Sequence, residues 1–395
     1  MSRLEELIQQ YCPDGVEYKK IKEVYQRIKG TPITAGKMKE IQCPTGEIRI
    51  FAGGKTVIDA NEVDIPNANI TRVPAVLVQS RGVIDAIYYD KPFTFKNEMW
   101  AYTHKEQASV KFLYYVMKQN IQHFRDAASG MGALPQISLG TTEDFVIPVP
   151  PLPVQEEIVR ILDNFAELQA ELQAELQKRL QQYAYYKSKL LSGDYPTMKI
   201  GDITRVFSAS RVHKNEWKTS GVPFYRSSDV MSFHRGEKNT RGEVFISEDL
   251  FEILSAKSGK IKIGDLLVTG GGSIGVPYLV SFEPLYVKDA DLLCIVKNDI
   301  LDNKFLYHYM RSEKFKDYIS SITHDATIAH YTISQIKETP VPVPTWDEQQ
   351  RIITILDKFD TLTNDLSKGL PAEIEARRKQ YEHYRDQLLT FKQKA

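Results

Sequence analysis

The sequence of 395 residues has little of what marks a secreted or membrane protein. Its longest apolar stretches, 73–78 and 263–268, are far shorter than the roughly 18 residues of a membrane span. The N-terminal segment MSRLEELIQQY is charged and lacks the apolar core of a secretory signal. The three cysteines, Cys12, Cys43 and Cys294, form no C-x-x-C pair. These absences predict a cytoplasmic protein with free thiols.

An excess of charge of one sign is also missing, because 51 basic side chains balance 51 acidic ones. Nucleic-acid-binding proteins are often basic overall, so this balance counts mildly against such a role. It does not exclude one, since phosphates respond to local clusters of Lys and Arg. With 42% hydrophobic and 26% charged residues, the composition indicates a globular protein of two to four domains.

No catalytic constellation stands out in the sequence. GGKT (53–56) lacks the earlier glycine that a phosphate-binding loop requires, since that position is Arg49. GGGSIG (270–275) precedes the β pattern VPYLVSF rather than the helix of a dinucleotide site, which predicts a turn between strands. PDGVEYK (13–19) spaces its carboxylates too closely for a nuclease site, and the eight histidines lack zinc-ligand spacing. We therefore expect a chain without a catalytic centre of its own.

The clearest positive feature is a tandem repeat. The segment IPVPPLPVQEEIVRILDNF (147–165) recurs as PVPVPTWDEQQRIITILDKF (340–359), with matching residues 194 positions apart. Upstream, KFLYYVM (111–117) recurs as KFLYHYM (304–310). Each half therefore has the same order, which predicts a β-rich region, a short helix, a proline-rich strand and a long helix.

The long helices are predicted from hydrophobic periodicity. Apolar residues between 158 and 190 recur about every 3.6 residues, which is typical of an amphipathic helix with one apolar stripe. An antiparallel helix pair that links two globular units is favoured over two helices that each pack only on their own domain. The second copy carries four extra residues around GLPAE, where Gly369 and Pro371 are expected to break the helix.

The β-rich regions offer polar loops instead of catalytic groups. QSRG (79–82), YRSSD (225–229) and FHRGEKNTRGE (233–243) place Arg, Lys, Ser and Gln beside Gly and Tyr. Arg can bind guanine bidentately, Gln can bind adenine, and Lys and Ser contact phosphate. Ordinary solvated loops are the alternative interpretation of the same segments.

The duplicated VPxPxxxEQxxIxxxLD pattern resembles the helix start of type I restriction–modification DNA specificity subunits. GVPFYRSSDVM, GDLLVTGGGSIG and GLPAEIEARRKQYEHYRDQLL resemble the same family, and the likeness covers essentially the whole chain. It implies an α+β fold with two similar β-rich target recognition domains, separated by two long antiparallel coiled-coil helices in a pseudo-twofold tandem repeat. The implied order is recognition domain 1 at 1–151, a first spacer helix at 152–195, recognition domain 2 at 196–344 and a second spacer helix at 345–395.

The resemblance also implies a function. Each recognition domain is expected to read one half of an asymmetric, bipartite DNA target, while the helices set the spacing and dock two methyltransferase subunits. Double-stranded DNA and, in a restriction complex, translocating subunits are further implied partners. No cofactor is expected on this chain, and S-adenosylmethionine, ATP and Mg are implied for the partner subunits. The alternatives are a coiled-coil scaffold that assembles subunits without reading DNA, and an enzyme with a hidden nuclease centre.

Two sets of residues are candidates for these roles. The DNA-binding candidates are Lys55, Arg72, Gln79 and Arg81 in the first domain and Arg226, Ser227, Ser228, Arg235, Arg241 and Ser273 in the second. The candidates for partner docking are Gln155, Ile158, Leu162, Phe165, Gln349, Ile352, Leu356 and Phe359. No catalytic residue and no metal ligand is predicted.

Overall fold

The computed structural model describes residues 2–54, 56–129, 134–235, 243–323, 330–365 and 367–394, without the side chains of residues 234, 235 and 323. The chain forms two compact units. Unit 1 comprises Met1–Gln173 and Glu373–Ala395, and unit 2 comprises Ala174–Ala372. Within the described ranges, no helix is both long enough and apolar enough to cross a membrane.

Helices and strands alternate along both units. The helices are α1 Arg3–Tyr11, α2 Ile21–Val24, α3 Ala35–Ile41, α4 Gln107–Gln119, α5 Ile121–Asp126, α6 Leu139–Glu143, α7 Leu152–Leu191, α8 Ile200–Ile203, α9 Ser227–Arg235, α10 Glu248–Ser258, α11 Asn303–Met310, α12 Glu313–Thr323, α13 Ile333–Glu338, α14 Trp346–Asn364 and α15 Leu370–Leu388. The strands are β1 Glu17–Lys20, β2 Gln26–Ile28, β3 Ile48–Phe51, β4 Val57–Ala60, β5 Ala75–Gln79, β6 Asp85–Tyr89, β7 Phe93–Phe95, β8 Trp100–Thr103, β9 Val146–Val149, β10 Thr197–Lys199, β11 Val206–Ser208, β12 Val222–Tyr225, β13 Phe245–Ile246, β14 Leu266–Thr269, β15 Pro277–Leu279, β16 Tyr286–Val287, β17 Leu292–Ile295 and β18 Pro340–Pro342.

The two units repeat one sheet topology. Unit 1 has the strand pair β1-β9, a four-stranded sheet in the order β2-β8-β5-β6 and a three-stranded sheet in the order β4-β3-β7. Unit 2 has β10-β18, β11-β17-β14-β15 and β13-β12-β16 in the corresponding places. In each three-stranded sheet, the central strand has one antiparallel and one parallel neighbour. The predicted α+β tandem repeat is therefore confirmed.

Alternating side chains of one central strand serve two hydrophobic cores. In β5, Val76 and Val78 lie in the core that contains α4, while Ala75 and Leu77 pack with the phenylalanines of β7. Successive side chains of a strand point to opposite faces, so a strand between two cores is apolar at every position. β14 of unit 2 follows the same rule and is buried throughout.

The long helices differ from each other in continuity. α7 runs unbroken for 40 residues, which corresponds to about 60 Å at about 1.5 Å per residue. The second long segment consists of α14 and α15, and the chain turns at 367–369 between them, where the Gly369 amide donates to the Asp365 carbonyl oxygen at 3.0 Å. The break predicted near Gly369 is confirmed, with Pro371 in the first turn of α15.

The start of each long helix packs into the core of its own unit. Ile158, Leu162, Ile352 and Leu356 have no exposed surface. Side chains in this position hold the helix to its domain and are not presented to another protein.

The remaining docking candidates are also engaged within their own units. Gln155 and Gln349 are buried. Phe165 stacks on Tyr384 of unit 1 and Phe359 on Tyr186 of unit 2, with ring centroids 5.5 and 5.8 Å apart. The expectation that the six buried candidates form a docking surface needs correction, while docking at the half-buried Phe165 and Phe359 and on the exposed helix faces stays a prediction.

Candidate nucleic-acid interface

The duplicated sequence motifs meet at an aspartate in each unit, which we call the aspartate joint. In unit 1 the Asp163 carboxylate accepts from the Lys111 ammonium at 2.6 Å and from the Tyr115 hydroxyl at 2.6 Å. In unit 2 the Asp357 carboxylate contacts the Lys304 ammonium at 2.5 Å and the His308 Nε2 at 2.9 Å. The joint fixes the short KFLY helix of each domain to the start of its long helix.

Electrostatics at the joint of unit 2 favour the charged aspartate. Burial by itself raises the pKa of Asp357, but the hydrogen bonds from His308 and Lys304 outweigh it and bring the pKa below its ordinary value. The carboxylate therefore remains ionised at neutral pH and holds both partners. The helix α11 is thereby tied to the start of α14.

A hairpin turn, residues 80–84, joins β5 and β6 in unit 1 and meets two other loops. The Ile137 amide donates to the Ser80 carbonyl oxygen at 2.9 Å, and the Gly82 amide to the Pro135 carbonyl oxygen at 2.9 Å. The Gly54 amide donates to the Arg81 carbonyl oxygen at 3.2 Å. Gly82 has a φ of +78°, a left-handed conformation that favours glycine. The backbone of the turn is thus bonded to other loops of unit 1, and the side chain of Arg81 is exposed.

Unit 2 builds the equivalent hairpin turn, residues 270–276, between β14 and β15. The Tyr331 amide donates to the Gly270 carbonyl oxygen at 2.9 Å, as Ile137 does in unit 1. The Gly275 amide and the Val276 amide donate to the Thr269 carbonyl and hydroxyl oxygens at 2.8 and 2.9 Å. The strand that follows confirms that GGGSIG is a turn between strands rather than a dinucleotide site.

The four candidates of the first domain have different placements. Arg81 is exposed at the hairpin turn. Arg72 is also exposed and forms an ion pair with Glu62. Gln79 needs correction, because its side chain is buried and its Nε2 donates to the Gly54 carbonyl oxygen at 2.8 Å. Lys55 lies outside the described residues.

The candidates of the second domain divide in the same way. Ser273 is exposed at the tip of its hairpin turn. Arg226 needs correction as a base reader, because its guanidinium binds the buried Asp229 with two bonds of 2.9 Å and lies over Trp217. A guanidinium held in this way stabilises the domain core. Ser227 and Ser228 are half-buried at the start of α9.

Two candidates of the second domain cannot be placed. Arg241 lies outside the described residues. Arg235 is the last residue of α9, and its side chain is likewise outside the description.

Sequence reasoning missed two residues that border the hairpin turns. Gln136 forms a bridge with Arg81, and His330 forms a bridge with Gly271. Both side chains are exposed. The signal was available, because Gln136 and His330 are 194 positions apart, the same separation as the proline-rich segments. Within the residues that the structure describes, no cluster of His, Cys, Asp and Glu could hold a metal ion.

Fold and surface together define a class of protein: a tandem-repeat protein with two similar β-rich domains, each presenting an exposed hairpin turn. A family model for the type I restriction modification DNA specificity domain matches residues 13–182 and 193–376. A putative type I restriction enzyme specificity subunit of Haemophilus influenzae is 36% identical, over 74% of this chain and 77% of that protein. The EcoR124I/EcoR124II specificity subunit of Escherichia coli is 30% identical, over 71% of each chain.

A solved structure has a similar fold. The S subunit of a type I restriction–modification system from M. genitalium aligns with a TM-score of 0.60 at 16% identity, over 95% of this chain and 96% of that one. This chain belongs to the family of type I restriction–modification specificity subunits. The family predicted from the duplicated proline-rich pattern is confirmed.

Proposed function

We propose that this chain is the DNA-reading subunit of a type I restriction–modification complex, and that its two recognition domains read the two halves of an asymmetric, bipartite target. The observation that carries the proposal is the pair of exposed hairpin turns at the same place in two domains of one topology. Membership of the specificity-subunit family favours this function over a scaffold that does not read DNA.

The chemistry of the two turns differs, which supports an asymmetric target. Unit 1 presents Arg81 with Gln136, a combination that suits the acceptor-rich edge of guanine and the paired donor and acceptor of adenine. Unit 2 presents Ser273 with His330 beside three glycines that let a backbone approach closely. Different donors at equivalent positions select different bases.

The long helices are proposed to set the gap between the half-sites. The estimated length of α7, about 60 Å, exceeds one turn of DNA, which is about 34 Å. The break between α14 and α15 at 365–369 is a place where added residues shift one end of the second helix segment against the other.

The remaining roles belong to partners. We propose that two methyltransferase subunits dock on the exposed helix faces and that they carry S-adenosylmethionine, while translocating subunits use ATP and Mg. This chain then needs no catalytic residue and no cofactor of its own. The complex acts in the cytoplasm, where its DNA substrate is accessible.

The decisive experiment compares genomic adenine methylation in cells with and without this chain. We expect one split motif with two different halves to lose its methylation when the chain is deleted. A palindromic motif contradicts the asymmetric reading, and unchanged methylation contradicts the DNA-reading function.

The spacing role has its own test. Insertion of about one helical turn, roughly four residues, at Gly369 is expected to change the number of unspecified base pairs between the half-sites. The matched control inserts the same residues after Leu388, at the end of α15. An unchanged gap with full methylation contradicts the proposal that the helices set the spacing.

The scaffold alternative is separated by salt-dependent retention of specific duplex DNA on the assembled complex. A DNA-reading subunit retains target duplex over a scrambled duplex, and a scaffold shows no such preference.

A further inference from the structure

A cavity of about 480 Å³ lies in unit 2 beside the hairpin turn 270–276. Its walls come from the hairpin turn, the end of α11, the helix α12 and the second half of α7. The lining residues that matter are Lys187, Gly275, Arg311, Phe315 and Lys316. Three of these five side chains are cationic, so the cavity is positively charged.

Lys187 is the least compensated of the three cations. Its ammonium lies 5.5 Å from the centre of the Tyr183 ring, and no carboxylate of the described residues forms an ion pair with it. Burial and the neighbouring charge of Arg311 lower the pKa of Lys187 to about 8, although Asp360 opposes this. The surroundings of Lys187 therefore disfavour its protonated form, and a nearby anion would stabilise it.

The other charges around the cavity are already paired. Arg311 donates to the Asp360 carboxylate at 2.8 Å, and Lys316 donates to the Glu313 carboxylate at 2.7 Å on the exposed side of α12. Asp360 also accepts from the Tyr183 hydroxyl at 2.8 Å. Counting Lys187, Arg311 and Lys316 against Asp360 and Glu313 leaves one net positive charge at neutral pH.

Unit 1 lacks this imbalance at the equivalent positions. Arg385 takes the place of Lys187 and donates to Asp386 at 2.8 Å. Lys118 takes the place of Arg311 and donates at 2.7 Å to Asp85, which stands where unit 2 has Gly275. Lys118 and Arg385 of unit 1 therefore each have a carboxylate partner, whereas Lys187 of unit 2 has none among the described residues.

We propose that this cavity binds a backbone phosphate of the DNA next to the half-site that unit 2 reads. The inference rests on the proposed function, because it takes the ligand of the hairpin turn to be duplex DNA. Lys and Arg are the usual phosphate partners, and phosphate contacts fix the register of a protein on the duplex without reading bases. A cavity of this size accepts the phosphate together with the adjoining sugar, and it borders the turn that carries Ser273.

The experiment measures duplex affinity of the assembled complex against salt concentration, for wild type and for Lys187→Gln. Loss of one phosphate contact is expected to reduce the slope of log K against log salt by about 0.9, and to weaken binding about eightfold at 0.1 M salt. The loss is the same for target and scrambled duplexes, because a phosphate contact carries no sequence information. Lys187→Arg retains the wild-type slope.

The matched control is Lys189→Gln, which removes the same charge from an exposed position on the same helix. We expect its slope to equal that of wild type. A wild-type slope in Lys187→Gln overturns the phosphate site while leaving the DNA-reading function intact. A wild-type complex without any target preference overturns both.

A second measurement does not depend on the folding of a variant. Reductive methylation of wild-type Lys187 is followed by mass spectrometry in the presence of duplex DNA or of millimolar inorganic phosphate. Protection by duplex alone supports a backbone phosphate. Equal protection by inorganic phosphate assigns the site to a free anion and overturns the proposal, as does the absence of protection by duplex.

The site also predicts a dependence on pH. A bound phosphate favours the protonated ammonium, so duplex affinity falls as pH rises through about 8, where free Lys187 loses its proton. Arg311, Asp360, Lys316 and Glu313 are the other charged groups that face the same ammonium. Lys187→Arg abolishes the fall, and a fall that persists in Lys187→Arg contradicts the assignment.

Discussion

Unit 1 and unit 2 each have a glutamine at the start of the long helix, Gln155 and Gln349, but the two side chains form different hydrogen bonds. Gln155 Nε2 donates to the Pro150 carbonyl oxygen at 2.7 Å, and Gln349 Nε2 to the Pro344 carbonyl oxygen at 2.9 Å. Gln349 also donates to the Ile300 carbonyl oxygen at 2.9 Å and accepts from the Asp302 amide at 2.8 Å. Gln155 Oε1 is buried without a hydrogen-bond partner among the described residues.

The difference follows from where the preceding short helix begins. α4 starts four residues before Lys111, whereas α11 starts one residue before the equivalent Lys304. The backbone at 300–302 is therefore still outside the helix and needs partners, which Gln349 supplies. In unit 1 the same stretch is the first turn of α4, and the Ser109 amide, equivalent to that of Asp302, donates to the Glu106 carbonyl oxygen at 3.1 Å. The bond inside the duplicated proline-rich segment is thus common to both units, while the bonds from Gln349 to residues 300 and 302 have no counterpart at Gln155 among the described residues.

The largest effect on stability is expected from substitutions in the two cores. Leu162→Ala and Leu356→Ala each remove a fully buried side chain, so each is expected to cost about 2–5 kcal/mol of unfolding free energy. Hydrogen exchange followed by mass spectrometry should show the loss in unit 1 for the first variant and in unit 2 for the second. Leu362→Ala, at a side chain that is 37% exposed, is the control and should change little. Protection lost in only one of the two core variants contradicts equivalent packing of the helix starts.

The next largest effect is a difference in unfolding free energy between substitutions of Gln349 and Gln155. Gln349→Leu leaves the Asp302 amide and two carbonyl groups without a partner, which costs about 1–3 kcal/mol. Gln155→Leu breaks one bond and removes an unpaired buried oxygen, so we expect a cost below about 1 kcal/mol. Denaturant unfolding of the two variants measures the difference, and equal costs refute the explanation from helix starts.

The aspartate joint of unit 2 offers a smaller, pH-dependent effect. Because the folded-state pKa of Asp357 is lowered, its contribution to stability is present above the ordinary carboxyl pKa and is lost as the pH falls through the lowered value. Asp357→Asn removes this acid sensitivity and costs about 1 kcal/mol at neutral pH, since the carboxylate is partly exposed. Denaturant midpoints from about pH 6 to about pH 3 report the change. An acid profile identical to wild type shows that the joint does not carry charge-dependent stability.

The smallest effect on folding is expected at the hairpin turn of unit 1. Arg81 is exposed, so Arg81→Ala should change the unfolding free energy by less than about 0.5 kcal/mol. If it reads a base, the variant loses about 1–3 kcal/mol of discrimination at one position of the half-site read by unit 1. Competition binding with single-base variants of the target measures this loss, and Lys39→Ala, at an exposed position of α3, serves as the control. Relaxed specificity in the other half-site instead assigns the domains the other way round.

Much of the architecture could be predicted because the hydrophobic periodicity and the tandem repeat of the sequence indicate it. The proline-rich segments, the KFLY helices and the break near Gly369 all lie where the repeat indicates. The roles of individual side chains could not be predicted with the same success. In the segment YRSSD, Arg226 resembles a DNA-binding residue. In the fold, its guanidinium instead donates to the buried carboxylate of Asp229. In the segment QSRG, Gln79 is expected to be exposed, yet its buried side chain donates to the Gly54 carbonyl oxygen.

The family, the duplication and the order of elements follow from the sequence, because they depend on local patterns that repeat along one chain. Which polar groups remain available for binding follows from the fold, because it depends on the groups that approach from distant parts of the chain. Arg81 and Ser273 are exposed, while backbone bonds and, in unit 2, the Thr269 hydroxyl hold the turns that carry them. Lys187 emerges as a binding candidate because the fold brings it into one cavity with Arg311 and the turn that carries Gly275, although these residues are far apart in the sequence.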